Sequence, residues 1–541
     1  MMSLKNNLPQ SWVLAIAFFM LIFPLVIVEL PTLQYSKGVV VYPQDEAYVR
    51  MATAKSLAFN YNWGLSESEF NSASSSIIYP ILLAFFYKLF GVQLAFPFLI
   101  NLFTAMVFIV FVARWLEKQR LRSFSQASIL AAIILLTPLP VLVAGGMEHM
   151  LQVLFSFLFL AEFSAWLIKR SEELIGYKNL SWKIYALAVL MTITRYEGLL
   201  LVLIACLILV FNRRYFLSIA LGVLAVLPLI LFGIYSLQKG AYFIPTSLMM
   251  KAIPLPLNGG VIQKYITNEL FARLIFTYNT SGAIATTRLL IILPLVYWLF
   301  LSKIREQSMI RYMLLTCLSM IILHLMFSSV VLFFRYEAYL ITCSAIVVGV
   351  LISQNWEIMW PKKGASNRWM ALWTGTILLY PLFFRGWAAY KSTCIENLNT
   401  YEQSFQAAKF IQRYYNHSTI VTDYIGTTGF LSEGKKIDLN SGIGYTEIAK
   451  SRVDNFYRTE YVEYLLRIER PVIAVIPENR YNYAITAHWK KVADWYTNHA
   501  SPYSGDHLSF YSLDSMGAPR LRNELKAFEP SLPPAVKVVY L

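Results

Sequence analysis

Long apolar runs, separated by short polar or basic breaks, fill the chain as far as residue 386. They fall at 11–30, 77–113, 126–145, 148–168, 183–196, 197–212, 215–237, 286–302, 311–331, 336–353 and 368–386. Most approach the ~20 apolar residues a helix needs to cross a bilayer. The first run lacks a small-residue cleavage site before its polar flank, so it is predicted to be a retained span and not a removed signal peptide. The stretch 77–113 contains Gly91 and Pro97 and reads as one crossing with a broken first half, or as two. After 386 the pattern changes. Short apolar runs at 419–422, 472–476, 508–511 and 536–540 are predicted to be buried strands, with helices at 401–415 and 461–469 between them.

Basic residues fix the topology. Arg114, Lys118, Arg120 and Arg122, then Lys169-Arg170, Arg213-Arg214, the stretch from Lys303 to Arg311, and Lys362-Lys363 with Arg368 share one side only if 77–113 crosses once and 183–212 is a hairpin. Those segments are then cytoplasmic, and about eleven spans result. The N-terminus is inside. The loops 31–76, 145–148, 195–198, 238–285 and 332–336, and everything after 386, lie outside. The expected architecture is an all-α polytopic membrane bundle over 1–387 with an extracytoplasmic α/β domain over 388–541.

Composition agrees. The 541 residues are 57% hydrophobic and 14% charged, against about 25% charged in a soluble globular protein. The net charge of +15 sits between spans, which removes the argument for a nucleic-acid partner. Cys206, Cys317 and Cys343 lie in apolar runs and Cys394 stands alone, with neither a disulfide pattern nor a Cys/His metal spacing.

The polar residues at the outer ends carry the candidate chemistry, because ionisable groups at membrane depth are costly and tend to be functional. Asp45-Glu46 opens a stretch that reads as a surface helix to Phe59, either as catalytic acids or as charges that favour a helix N-terminus. Arg195 either pairs with Glu197 to close a turn or contacts phosphate through its guanidinium fork. Arg335, beside Tyr336, is an interface anchor or a second phosphate contact. Glu148 starts a helix, and His149 beside it reads better as a hydrogen-bonding group than as a metal ligand. Lys251, behind Pro245-Thr246, snorkels or reaches a phosphate. Together, carboxylates and cations on one face suit removal of a hydroxyl proton while a lipid-borne phosphate leaves.

These residues, in this order, resemble the GT-C superfamily of membrane glycosyltransferases, and in particular the bacterial branch that includes the mycobacterial terminal arabinofuranosyltransferases. Asp45-Glu46-Ala47-Tyr48 resembles that branch's first-loop acidic motif, with Glu46 where Asp is usual. Ala54-Lys55-Ser56-Leu57-Ala58 resembles its surface helix, although Ala52 stands where many relatives carry Arg. Ser74-Ser75-Ser76, Gly146-Met147-Glu148, Thr194-Arg195-Tyr196-Glu197-Gly198 (Tyr for the usual Pro) and Pro245-Thr246 with Lys251 resemble further motifs. So do Asp423-Tyr424-Ile425-Gly426-Thr427-Thr428-Gly429 and Ile437-Asp438-Leu439 in the outer domain, where Gly426 and Gly429 also read as parts of a tight turn.

The resemblance implies a polyprenyl-phosphate-linked sugar donor, a glycan, lipid or protein acceptor, and a single inverting displacement. Asp45 would take the acceptor proton, and the polyprenyl phosphate would leave toward Arg195, Lys251 or Arg335. Tyr48, Glu148, His149, Glu197, Thr246, Tyr336, Asp423 and Asp438 complete the candidate set. Some members of the superfamily use a divalent cation (Mg or Mn), and the resemblance offers Asp45 and Glu148 as its ligands, although nothing in the sequence demands one. A lipid-linked glycan transporter or flippase, and a non-catalytic assembly subunit, remain as alternatives.

Overall fold

The computed structural model describes residues 9–66, 69–172, 180–251, 289, 292–297, 308–328, 334–356, 365–439, 441–453, 456–478, 489–501 and 504–541. The helices of the first part are α1 (Gln10–Tyr35), α2 (Asp45–Asn60), α3 (Ile78–Phe90), α4 (Phe96–Lys118), α5 (Ser123–Leu136), α6 (Leu139–Ala144), α7 (His149–Glu172), α8 (Trp182–Thr194), α9 (Gly198–Phe211), α10 (Tyr215–Gln238), α11 (Thr246–Lys251), α12 (Ser308–Phe327), α13 (Ala338–Gln354) and α14 (Ala365–Thr400).

Among the described residues, five helical segments are long and apolar enough to cross a membrane: Gln10–Tyr35, Phe96–Lys118, His149–Ile168, Tyr215–Gln238 and Met309–Phe327. Helices α3, α5, α8, α9 and α13 are apolar but shorter. Helix α1 buries Val13, Ala17, Leu21, Leu25 and Val28 and leaves Trp12, Phe19, Phe23 and Ile27 outside. An apolar outer face on an apolar helix is what contact with lipid requires. The chain is a multi-pass membrane protein.

The apolar pattern located the helices but not their breaks. Between α3 and α4 the chain turns at Gly91, in the left-handed region (φ +78), so 77–113 is two helices. Helix α3, with 13 residues, is about 20 Å long, short of the ~30 Å hydrocarbon core. The run 126–145 also splits, at Thr137-Pro138, into α5 and α6. The hairpin expected at 183–212 is present as α8 and α9. Of 286–302, Leu289 and residues 292–297 are helical, and the rest lies outside the described residues.

Helix α14 runs past residue 387 and continues through a π-helical turn (Tyr401–Phe405) into α15 (Gln406–Tyr414). A helical stalk, not a loop, therefore joins the bundle to the C-terminal part. That part holds α16 (Ile425–Leu431), α17 (Thr446–Val453), α18 (Thr459–Glu469) and α19 (Ala518–Phe528). Around them runs a six-stranded sheet in the order β2-β1-β3-β5-β4-β6: β1 Ile420–Thr422, β2 Lys436–Ile437, β3 Ile473–Ile476, β4 Lys490–Ser501, β5 Gly505–Ser512 and β6 Lys537–Tyr540. Strand β1 pairs in parallel with β2 and β3, and the other pairs are antiparallel.

The sheet is covered on both faces. Phe410 of α15 meets Trp495, Phe510 and Phe528 of α19 on one side. Val421, Ile437, Ala474 and Ile476 pack with Ile448 of α17 and Leu465 of α18 on the other. All four predicted strands are present. Strand β4 was not predicted, because its Lys490, Lys491 and Asp494 mask a central run that is buried between β5 and β6, where Asp494 accepts a hydrogen bond from Ser509 (2.6 Å).

Candidate functional site

Helix α2 places the two acids. Both lie in its first turn, where negative charge is favoured, and neighbouring helical positions point about 100° apart. They accordingly face different partners. Asp45 faces the C-terminal part: Gly426 N–H donates to its Oδ2 (2.7 Å), and the Thr427 N–H (2.7 Å) and hydroxyl (2.5 Å) donate to its Oδ1. It thus caps the open first turn of α16 from another element. At the other end of α16 the Lys55 ammonium donates to Phe430 O (3.3 Å), where positive charge suits a helix C-terminus.

Gly426 and Gly429 are therefore not turn residues. They lie on the face of α16 that touches α2, and a Cβ on Gly426 would stand 2.1 Å from Asp45 O and 2.6 Å from Val49 N. Beyond Lys55, a groove of about 520 Å³ is lined by Val39, Val40, Val92, Leu94, Phe430 and others.

Burial pushes the Asp45 carboxyl up to about 7. The three donors work against the rise, and the neighbouring Glu46 charge adds to it. A free Asp titrates near 3.9, so the docked state holds the proton more readily. Docking is strongest at acid pH and weakens as pH rises from about 4 through 7. Hydrogen exchange should therefore show residues 425–431 more protected at pH 5.5 than at pH 8. Equal protection would mean that the docked and undocked carboxyls titrate alike.

Glu46 faces the bundle, where the ends of several helices bring a charged cluster together. Arg335, just before α13, contacts Glu46 Oε1 (3.0 Å). Arg50, one turn along α2, holds Glu148 with its Nε and NH2 (3.0 Å each) and gives NH1 to Glu46 O (3.0 Å). Arg195, in the α8–α9 turn, reaches Glu148 with NH1 (2.9 Å) and clasps Glu197 with Nε (3.0 Å) and NH2 (2.6 Å). The Ser75 hydroxyl oxygen accepts from both Arg50 NH2 and Arg195 NH1 (2.7 and 3.4 Å).

Tyr336 lies under two guanidiniums, 4.7 Å from Arg195 and 5.2 Å from Arg335, and His149 meets it edge-on at 5.6 Å. Both ring nitrogens of His149 are buried and lack a hydrogen-bond partner, where the sequence suggested a hydrogen-bonded ring. Gly146, at φ +63, lets the chain pass so close to the Tyr42 ring that a Cβ would lie 2.4 Å from it, and this turn delivers Glu148.

The structure thus brings together Glu46, Glu148, His149, Arg195, Glu197, Arg335 and Tyr336. It adds Arg50 and Gln44, which sequence reasoning missed, and Ser75, which sequence reasoning placed only in a serine motif and not as a site residue. Gln44 takes a hydrogen bond from Arg335. The signal for Arg50 was its place four residues after Glu46, on the same helix face.

Other candidates fall elsewhere. Tyr48 is buried against Tyr42, Phe405 and Phe430 and accepts the Tyr42 N–H (3.1 Å), so it packs the loop. Thr246 ties Ser72 and Ile443 together (3.2 and 3.0 Å). Lys251 ends α11, and its side chain lies outside the described residues. Asp423 and Asp438 stand at the ends of neighbouring strands β1 and β2. Asp438 accepts the Ser441 N–H (2.8 Å) and hydroxyl, closing a turn, and burial, with the Asp423 charge close by, pushes it up to about 6.

The resemblance offered Asp45 and Glu148 to a divalent cation. As arranged they do not fit one, because N–H and O–H donors occupy the oxygens of Asp45 and two guanidiniums occupy those of Glu148. Among the described residues no group of three or more His, Cys, Asp or Glu could hold a metal.

Residues 395–511 match a family described as Domain of unknown function (DUF8728). No curated protein sequence matches the chain. Solved structures do. ArnT from Cupriavidus metallidurans, bound to undecaprenyl phosphate, aligns with TM-score 0.53 at 11% identity over 94% of this chain and 99% of its own. Its apo state aligns with TM-score 0.51 at 12% identity over 94% and 98%. The archaeal oligosaccharyltransferase AglB from Archaeoglobus fulgidus, in complex with an inhibitory peptide and a dolichol-phosphate, aligns with TM-score 0.48 at 10% identity over 94% and 75%. The chain has the GT-C fold over nearly its full length, a polytopic bundle with a C-terminal domain that carries a small sheet.

Proposed function

We propose that the protein is an integral-membrane glycosyltransferase that moves a sugar from a polyprenyl-phosphate donor to a glycan, lipid or protein acceptor on the extracytoplasmic face of the cell membrane, by inverting displacement. One observation carries the reading. A buried set of carboxylates and guanidiniums gathers at one end of the spanning helices, beneath a C-terminal domain, in a fold shared with a protein solved with undecaprenyl phosphate. The orientation follows from the basic residues between spans.

In this reading the acidic pair that heads α2 supplies the base. Arg335 and Arg195, with Lys251, receive the charge that develops on the leaving phosphate, and guanidinium forks suit that task. Tyr336 and His149 form the floor on which the guanidiniums rest.

The test is transfer of labelled sugar from a panel of polyprenyl-phosphate donors in membranes, comparing wild type with an Asp45→Asn, Glu46→Gln double variant at equal expression. Wild type is expected to transfer and the double variant to lose activity by about 10²–10⁴-fold, the usual contribution of a positioned base. No transfer by folded wild type from any donor, with glycan, lipid and protein acceptors supplied, would defeat the reading.

A further inference from the structure

Among the described residues, the three guanidiniums of the cluster (Arg50, Arg195 and Arg335) balance its three carboxylates (Glu46, Glu148 and Glu197) in formal charge. Glu148 serves Arg50 and Arg195, Glu197 serves Arg195, and Glu46 serves Arg335. A lipid phosphate that arrives here must take a guanidinium from a carboxylate already on it. Burial decides which pair yields. Glu148 is wholly enclosed and Glu197 is 11% exposed, whereas the Glu46 side chain is 25% exposed. A displaced Glu148 would be an unpaired buried charge; a displaced Glu46 can turn toward water.

Arg335 also shows unfilled capacity. Its Nε–H is buried and finds no hydrogen-bond acceptor. Its NH1 is shared between Gln44 and the Met147 sulfur, and its NH2 meets Glu46 Oε1. Beside it, His149 keeps two buried nitrogens without partners. Buried donors without acceptors are rare in native structures and point to something that completes them. Phosphate oxygens match a guanidinium fork.

We propose that the donor phosphate binds by displacing Glu46 from Arg335, and that this exchange releases Glu46 as the general base. The inference rests on the glycosyltransferase reading and specifies its order of events. Glu46 is masked while the site is empty and unmasked by donor. Asp45 stays on α16, its oxygens filled by Gly426 and Thr427, and acts as the clamp that holds the C-terminal domain over the site.

The step balances. The acceptor hydroxyl gives its proton to Glu46, and its oxygen forms a bond to the anomeric carbon. The bond from that carbon to the phosphate oxygen breaks, and its electron pair leaves on the phosphate. The donor phosphodiester, with one negative charge, becomes a phosphate with two, while Glu46 becomes neutral and cannot compete for Arg335. When Glu46 passes its proton to water it regains its charge, returns to Arg335 and expels the polyprenyl phosphate.

The experiment titrates full-length protein in nanodiscs with undecaprenyl phosphate and measures transfer kinetics with the donor found active in the panel. Glu46→Gln keeps the shape and removes the competing charge. It is expected to bind undecaprenyl phosphate about tenfold more tightly than wild type, with kcat down about 100-fold or more and donor KM not raised. Arg335→Gln should weaken that binding about tenfold, and Glu46→Gln added to it should no longer tighten it.

Damage to the fold weakens binding, so tightening cannot come from it. Should Glu46→Gln fail to fold, Glu46→Asp, whose shorter arm loosens the pair, should also bind more tightly than wild type. Equal or weaker binding by the folded acid variants, or full transfer by Glu46→Gln, would overturn the exchange. Wild type that transfers without the tightening overturns the exchange alone. Wild type that neither binds undecaprenyl phosphate nor transfers overturns the glycosyltransferase reading with it.

Discussion

Glu148→Ala should destabilise the protein by about 3–5 kcal/mol, the usual cost of removing one partner from a buried ion pair. The size follows from what Glu148 does. It is wholly buried and serves two guanidiniums at once, with Arg50 at 3.0 Å and Arg195 at 2.9 Å. Arg195 keeps Glu197, but Arg50 keeps only Glu46 O and Ser75, neither of which carries a compensating charge. The measurement is the thermal unfolding midpoint of detergent-solubilised protein at a fixed scan rate, beside Glu197→Ala. Glu197→Ala is expected to cost less, because Arg195 then falls back on Glu148. A Glu148→Ala midpoint equal to wild type would mean that Arg50 finds another counter-charge.

The same cluster shows why some of the site was legible in the sequence and some was not. Glu148, Arg195, Glu197 and Arg335 stood out because charge at the end of an apolar run is expensive, and each lies at such an end. Their pairing was not legible. Arg195 could be matched with Glu197 two residues away, but its bond to Glu148 spans 47 residues, and only helix packing supplies that. Arg50 did not stand out, because the sequence did not reveal that α2 is buried along most of its length.

The fold divides in the same way. Apolar runs placed the helices because lipid enforces a continuous apolar surface. The breaks at Gly91 and at Pro138 are single-residue backbone events inside runs whose composition does not change, so one span was read where two helices stand. The strands β1, β3, β5 and β6 announced themselves as short apolar runs. Strand β4 mixes lysine, aspartate and aromatic residues without a continuous apolar run, and it becomes a strand because β5 and β6 flank it.

Asp45 is the sharpest case. Its motif was visible and so was Asp423-Tyr424-Ile425-Gly426-Thr427, but the contact that joins them crosses 381 residues. Without it, an acid at a helix start looks available for proton transfer. With it, the acid is a fastener between two parts of the chain.

Gly426→Ala tests that fastener. A methyl group at this position would need to occupy space 2.1 Å from Asp45 O and 2.6 Å from Val49 N. Both are backbone atoms of a helix, so no side chain can swing aside, and α16 must lift from α2. The direct cost is that of an overpacked contact, about 1–3 kcal/mol or more. The lift also separates Asp45 from the Gly426 and Thr427 donors and Lys55 from Phe430 O, so the losses fall together and the interface opens as a unit.

The expected result is a C-terminal domain that still folds on its sheet but cleaves readily in limited proteolysis near residues 425–431, with sugar transfer reduced about 100-fold or more because the clamp over the site is gone. The companion variant is Gly434→Ala. Its Cβ would stand 2.1 Å from Ser418 O, a clash within the C-terminal domain and away from α2. It should lower the melting midpoint without exposing α16 selectively. If Gly426→Ala shows wild-type protection and wild-type transfer, α16 can shift without loss, and the contact between Asp45 and α16 is incidental to the proposed activity.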